Sequence, residues 1–111
     1  MKRVEATLSP AHLEVVVERL KMIGIPGMTV LDLLAVTSQP QEIVYRGVTT
    51  KADLVPRVRI DIVLPDEWVA GVVNAIEMSV RRSEAPGGRI LICPVDEVIR
   101  IRTGETGQDA I

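Results

Sequence analysis

The chain has 111 residues, 47% of them hydrophobic and 25% charged, with a net charge of −2. That length gives one domain, residues 1–111, and the slight acidity leaves no basic footprint for nucleic acid. One cysteine and one histidine exclude a disulfide framework, a CxxC metal pair, a multi-histidine site and a Ser/His/Asp triad within one chain.

No apolar run approaches the ~20 residues of a membrane helix and no targeting pattern opens the chain, so a soluble, cytoplasmic protein is expected. With one Trp, one Tyr and no Phe, the core must be built from Val, Ile and Leu, which suit strands. Lys2 to Leu8 alternates as a strand, with Val4, Ala6 and Leu8 on one side. Ser9 is placed as an N-cap and Pro10 at the first helical position. Leu13, Val16, Val17 and Leu20 then recur at helical spacing, while Glu14, Glu18, Arg19 and Lys21 face outward. Gly24 ends this helix, and Pro26-Gly27 turns the chain into a second strand, Met28 to Val36.

Residues 37–55 read as a long loop, far beyond the ~4–6 residues usual for a connection. It mixes turn formers (Thr37, Ser38, Pro40) with the apolar run Ile43-Val44-Tyr45. On a small rigid scaffold, such a loop is a contact device. Arg57 to Leu64 alternates charged and β-branched residues as a half-buried strand. Pro65-Asp66 starts a second helix holding Val69, Val72, Val73 and Ile76, which closes near Arg81-Arg82. Pro86-Gly87-Gly88 makes another turn, and Arg89 to Val95 forms a buried strand containing Cys93 as a small hydrophobe.

RVEATLSPAHLEVVVERL matches RVRIDIVLPDEWVAGVVNAI, each followed by a Pro-Gly turn and a strand. Two such units in tandem predict the α+β, ferredoxin-like βαββαβ fold, a four-stranded antiparallel sheet with both helices on one face. Apolar residues on the other face call for homo-oligomerisation through the sheets. In the tail, residues 96–111, Arg100 and Arg102 fall on the same side of an extended segment and make a fork suited to a polyphosphate. Gly87-Gly88-Arg89 brings backbone N–H groups within reach of an anion. A solvated strand face and an ordinary Gly-Gly turn account for the same residues without a ligand. No nucleophile, acid–base pair or metal cluster accompanies them, so binding is favoured over catalysis. An enzyme would have only Glu5, Asp61 and Glu97 to draw on.

VEATLSP, GIPGMTV, YRG, VPRVRIDIVLPDEWV and GGRILICPVDEVIRIRTGETGQDAI together resemble the PII signal-transduction family of nitrogen and carbon sensors over the whole chain. The resemblance implies a homotrimer with clefts between neighbours that take ATP, ADP or AMP. It also implies a loop over residues 37–55 that regulates a membrane transporter or a metabolic enzyme. By motif, Gly27, Met28, Thr29, Asp61, Val63 and Leu64 would line the adenine and ribose pocket. Gly87, Gly88, Arg89, Arg100 and Arg102 would hold the phosphates, and Ile43, Val44, Tyr45, Arg46 and Lys51 are the partner-contact candidates. Tyr45 also has a packing role open to it at the base of the loop.

Departures from the family pattern sharpen this reading. The usual Gly-x-Gly-Arg-Gln run is replaced by Ala35-Val36-Thr37-Ser38-Gln39, leaving only Gln39 to reach the nucleotide. Lost glycines restrict backbone approach to a phosphate and the lost arginine removes a charge-assisted contact, which weakens magnesium and 2-oxoglutarate binding. Glu84 stands where a phosphate-facing lysine is common and disfavours the γ-phosphate end of ATP. Thr50 replaces the tyrosine that many relatives have uridylylated. Two alternatives follow: a carbon-related sensor binding ADP or AMP with bicarbonate, using Arg46 and Lys51 as donors, and a structural trimer with vestigial clefts. A transporter target would recruit the protein to the inner face of the membrane.

Overall fold

A computed structural model describes the backbone of residues 1–45, 48–80 and 88–111, and the side chains of 1–36, 54–80 and 88–111. Six elements follow in the order βαββαβ: β1 (Lys2–Leu8), α1 (Leu13–Met22), β2 (Thr29–Tyr45), β3 (Val48–Leu64), α2 (Val69–Val80) and β4 (Arg89–Pro94). The sheet order is β2-β3-β1-β4 with every neighbouring pair antiparallel, the arrangement expected of a ferredoxin-like fold.

Strand periodicity decides which face is buried. Val4, Ala6 and Leu8 of β1 and Val58, Ile60, Ile62 and Leu64 of β3 point the same way and are buried. Val16 and Leu20 of α1 and Val72, Ala75 and Ile76 of α2 pack on them in one core. Each Val, Leu or Ile among them contributes roughly 1.5–3 kcal/mol on burial, so the core forms without aromatic residues.

Helix ends follow local chemistry. A 3-10 turn, Pro10–His12, precedes α1 and is closed by the His12 N–H donating to the Ser9 carbonyl at 3.0 Å. The Ser9 hydroxyl makes no capping bond, so the expected N-cap works through its main chain alone. At the other end Gly24 has φ +92°, its N–H donates to the Lys21 carbonyl, and the Ile25 N–H donates to the Leu20 carbonyl. This is a Schellman motif whose following apolar residue, Ile25, is buried in the core. The close of α2 near Arg81-Arg82 and the turn at Pro86-Gly87 lie outside the described residues, as do Arg46 and Glu84.

Two expectations differ from the structure. Residues 37–45 and 48–55, read as loop, extend β2 and β3 into a two-stranded ribbon paired as far as Tyr45↔Val48. The β-branched and aromatic residues that had no place in the core supply the strand propensity. The register breaks only between Val36 and Gln41, where Pro40 lacks a donor for the ladder. Second, β4 is an edge strand rather than a buried one, with Leu91 40% and Ile92 51% exposed. Its Cys93 is half-buried on the helix-free face, 4.0 Å from an Arg3 guanidinium nitrogen. The helix-free face carries apolar residues, as expected, beside a chain of charges. Arg59 binds Asp61 through two hydrogen bonds of 3.1 and 3.2 Å, and Glu5 pairs with Arg59 at 3.5 Å and with Arg3 at 3.6 Å. Leu31 and Leu91 flank this chain of charges.

Candidate functional site

β3 runs past its partner: the last pair with β2 is Thr29↔Asp61, while pairing with β1 continues to Lys2↔Leu64. One edge of Ile62–Leu64 is therefore uncovered by a strand. Around it gather the α1–β2 turn (Ile25 to Met28), the Pro65 and Trp68 corner that begins α2, and the C-terminal segment. They enclose an open pocket of about 670 Å³, lined chiefly by apolar side chains, with Thr29, Asp61, Arg100 and Gln108 as its polar ones.

The C-terminal wall is a small hairpin built from its own hydrogen bonds. The Arg100 N–H donates to the Glu105 carbonyl at 2.9 Å, the Gly107 N–H to the Val98 carbonyl at 3.0 Å, and Ile99 bridges Thr106. Gly104 and Gly107 have φ +73° and +63°, the left-handed conformations these turns require. The Glu97 carboxylate accepts from the Val98 and Gly107 N–H groups at 3.3 and 3.1 Å, a structural task rather than a catalytic one. The Arg100 side chain donates to the Ile111 carbonyl at 3.2 Å, which steadies the guanidinium at the pocket wall while leaving other donors for an anion.

Of the residues singled out by sequence, Gly27, Met28, Thr29, Asp61, Val63, Leu64 and Arg100 line this one pocket although they come from three separated segments. Arg102 does not. It sits exposed in the turn at 101–103, so the expected extended fork with Arg100 is not formed. Gly88 and Arg89 lie across the sheet, where Arg89 pairs with Thr7, away from the pocket lining. A Cβ on Gly88 would collide with the Thr7 carbonyl oxygen, so close packing requires this glycine without any ligand. Gly87 and Arg46 fall outside the described residues, as do the side chains of Gln39, Ile43, Val44, Tyr45, Thr50 and Lys51. Sequence reasoning missed Trp68, Val98 and Gln108; only the singular occurrence of Trp68 marked it.

Asp61 is engaged by Arg59, Glu5 by both arginines and Glu97 by main-chain donors. Among the described residues no three His, Cys, Asp or Glu side chains group as a metal site, and no helix is long and apolar enough to cross a membrane.

Comparison with known proteins agrees with this architecture. Residues 1–105 match the family model for nitrogen regulatory protein P-II. The chain is 39% identical to the nitrogen regulatory protein P-II of Cereibacter sphaeroides, with all of both chains covered. It is 38% identical to that of Haemophilus influenzae over the same full extent. Among solved structures it is similar to Arabidopsis thaliana PII bound to citrate, at a TM-score of 0.78 and 33% identity, covering 99% of this chain and 91% of that one. The chain belongs to the nitrogen regulatory protein P-II family, and it is a signalling regulator rather than an enzyme.

Proposed function

We propose that the protein is a homotrimeric, cytoplasmic sensor that binds an adenine nucleotide at this pocket and regulates a transporter or metabolic enzyme through the β2–β3 ribbon. The observation that carries the reading is the convergence of Gly27–Thr29, Asp61, Val63, Leu64 and Arg100 on one open pocket. Its chemistry suits a nucleotide. An uncovered strand edge offers backbone donors and acceptors that a purine edge can pair with. Apolar walls accept the base, and Arg100 supplies a planar, permanently charged group for a phosphate. A ligand that favours one ribbon state by 1–2 kcal/mol, as an order of magnitude, shifts its population usefully. Membrane recruitment follows only where the regulated partner is a transporter.

Isothermal titration calorimetry with ATP, ADP and AMP, each with and without magnesium plus 2-oxoglutarate, and then with bicarbonate, tests this. ADP or AMP should bind in the micromolar range and be indifferent to 2-oxoglutarate. Arg100→Ala should weaken binding at least tenfold, the loss of a charge-assisted pair of ~1.5–3 kcal/mol, and Arg102→Ala less. Strong synergy of magnesium-ATP with 2-oxoglutarate would make it an ordinary nitrogen sensor. Enhancement by bicarbonate would favour the carbon-related variant. No binding of any nucleotide would leave a structural trimer with vestigial clefts.

A further inference from the structure

We infer that Trp68 is a base-binding residue of this pocket, an aromatic platform on which the base of the nucleotide stacks; the inference rests on the nucleotide reading above. Trp68 is the single tryptophan of the chain and the one aromatic residue lining the pocket. It is 44% exposed and takes no part in the core, whereas its neighbour Val69 packs against that core. A side chain of this size left at the surface forfeits burial that the fold could have used. Its backbone is nonetheless fixed: it ends the 3-10 turn Asp66–Trp68, and its N–H donates to the Pro65 carbonyl at 3.1 Å. The platform is therefore anchored on a rigid corner rather than on a mobile loop.

The rest of the lining is consistent with a flat ligand. Gly27 has ordinary negative-φ backbone and a Cβ there would meet nothing within 4 Å. Neither backbone conformation nor packing explains a glycine at this position, and its missing side chain leaves open space in the pocket wall. Met28 adds a deformable, polarisable thioether to the same lining. Indole rings and nucleobases stack because both present polarisable π-faces, and this preference is tolerant of which base is offered. Arg100 would then govern the phosphate end and Trp68 the base end.

Titrations of wild type, Trp68→Ile and Trp68→Phe test this, using ADP and, as a probe without a base, inorganic pyrophosphate. Calorimetry should show ADP about tenfold weaker in Trp68→Ile and near wild type in Trp68→Phe, because stacking is lost in the first and kept in the second. Pyrophosphate affinity should be equal in all three. Wild-type tryptophan fluorescence, which reports on this side chain alone, should change on saturation with ADP and not with pyrophosphate. Equal ADP affinity in wild type and Trp68→Ile, or an equal loss for both ligands, would overturn the role of Trp68 while leaving the nucleotide reading in place. Failure of wild type to bind ADP, ATP or AMP would overturn both. Matching thermal melts of the three proteins exclude unfolding as the cause.

Discussion

At Gly88 the demand for glycine is steric and comes from a neighbouring strand. The Thr7 carbonyl occupies the place a Cβ would take, with the Leu8 Cα 3.3 Å from it. Backbone cannot retreat as a flexible side chain can, so Gly88→Ala should destabilise the fold by about 1–3 kcal/mol, the usual range for overpacking. Urea unfolding followed by circular dichroism would show the shifted midpoint; an unchanged midpoint would mean that β1 and β4 separate easily. This is also the residue at which sequence reasoning was least able to choose. A Gly-Gly-Arg run is compatible with an anion cradle and with a close strand crossing alike, and only the register of Thr7 against Arg89 separates them. Arg100 and Arg102 carried the same ambiguity. Their spacing suits a fork only if the backbone stays extended, and the turn at 101–103 removes that condition.

Among the elements, β1 and α1 were legible because their apolar periods of two and near four are uninterrupted from Val4 to Leu20. The ribbon was not. Thr37, Ser38 and Pro40 are turn formers, and short-range signals cannot reveal that Gln41 to Tyr45 resumes pairing once a bulge has absorbed them. β4 was misjudged for a related reason: a run such as Arg89 to Val95 is equally apolar whether its strand is central or at an edge. The start of α2 carries a test of its own. The Met1 amino group lies 2.9 Å from the Asp66 carboxylate, and its hydrogen bond holds the Asp66 carboxyl below the usual carboxylate range. A carboxyl with a lowered folded value contributes stability above its ordinary value, and that contribution disappears as pH falls through the lowered one. Asp66→Asn should therefore lower the melting temperature slightly at neutral pH and match wild type at the acid end, flattening the limb between them by an amount that is small because the pair is exposed. Differential scanning fluorimetry between pH 2 and 7 reads this directly.

For the whole molecule, the ribbon makes the subunit elongated, 48 × 27 × 23 Å with a radius of gyration of 15.9 Å. A compact chain of this length would have about 13 Å. The helix-free sheet face, with its Arg3–Glu5–Arg59–Asp61 chain flanked by Leu31 and Leu91, and the exposed edge strand β4 are surfaces that further copies can cover. Sedimentation equilibrium should give three chain masses. Arg59→Ala, which strips Asp61 of its bidentate partner and Glu5 of one of two, should shift the mass toward the single chain. A monomeric wild type would refute the trimer.

Because β2 and β3 each run unbroken from the core into the ribbon, the Thr29↔Asp61 pair and the Tyr45↔Val48 pair stand at opposite ends of one ladder. Sixteen residue steps lead from Thr29 to Tyr45, roughly 50 Å measured along the strand at ~3.3 Å per residue. A ligand in the pocket thus touches nothing at the far end of its own ribbon. If the pocket and the ribbon act together as proposed, information about the ligand would either travel the length of the ladder across the irregularity at Val36–Gln41 or cross to another copy. On the proposed reading, a single detached subunit would keep only the first of these routes.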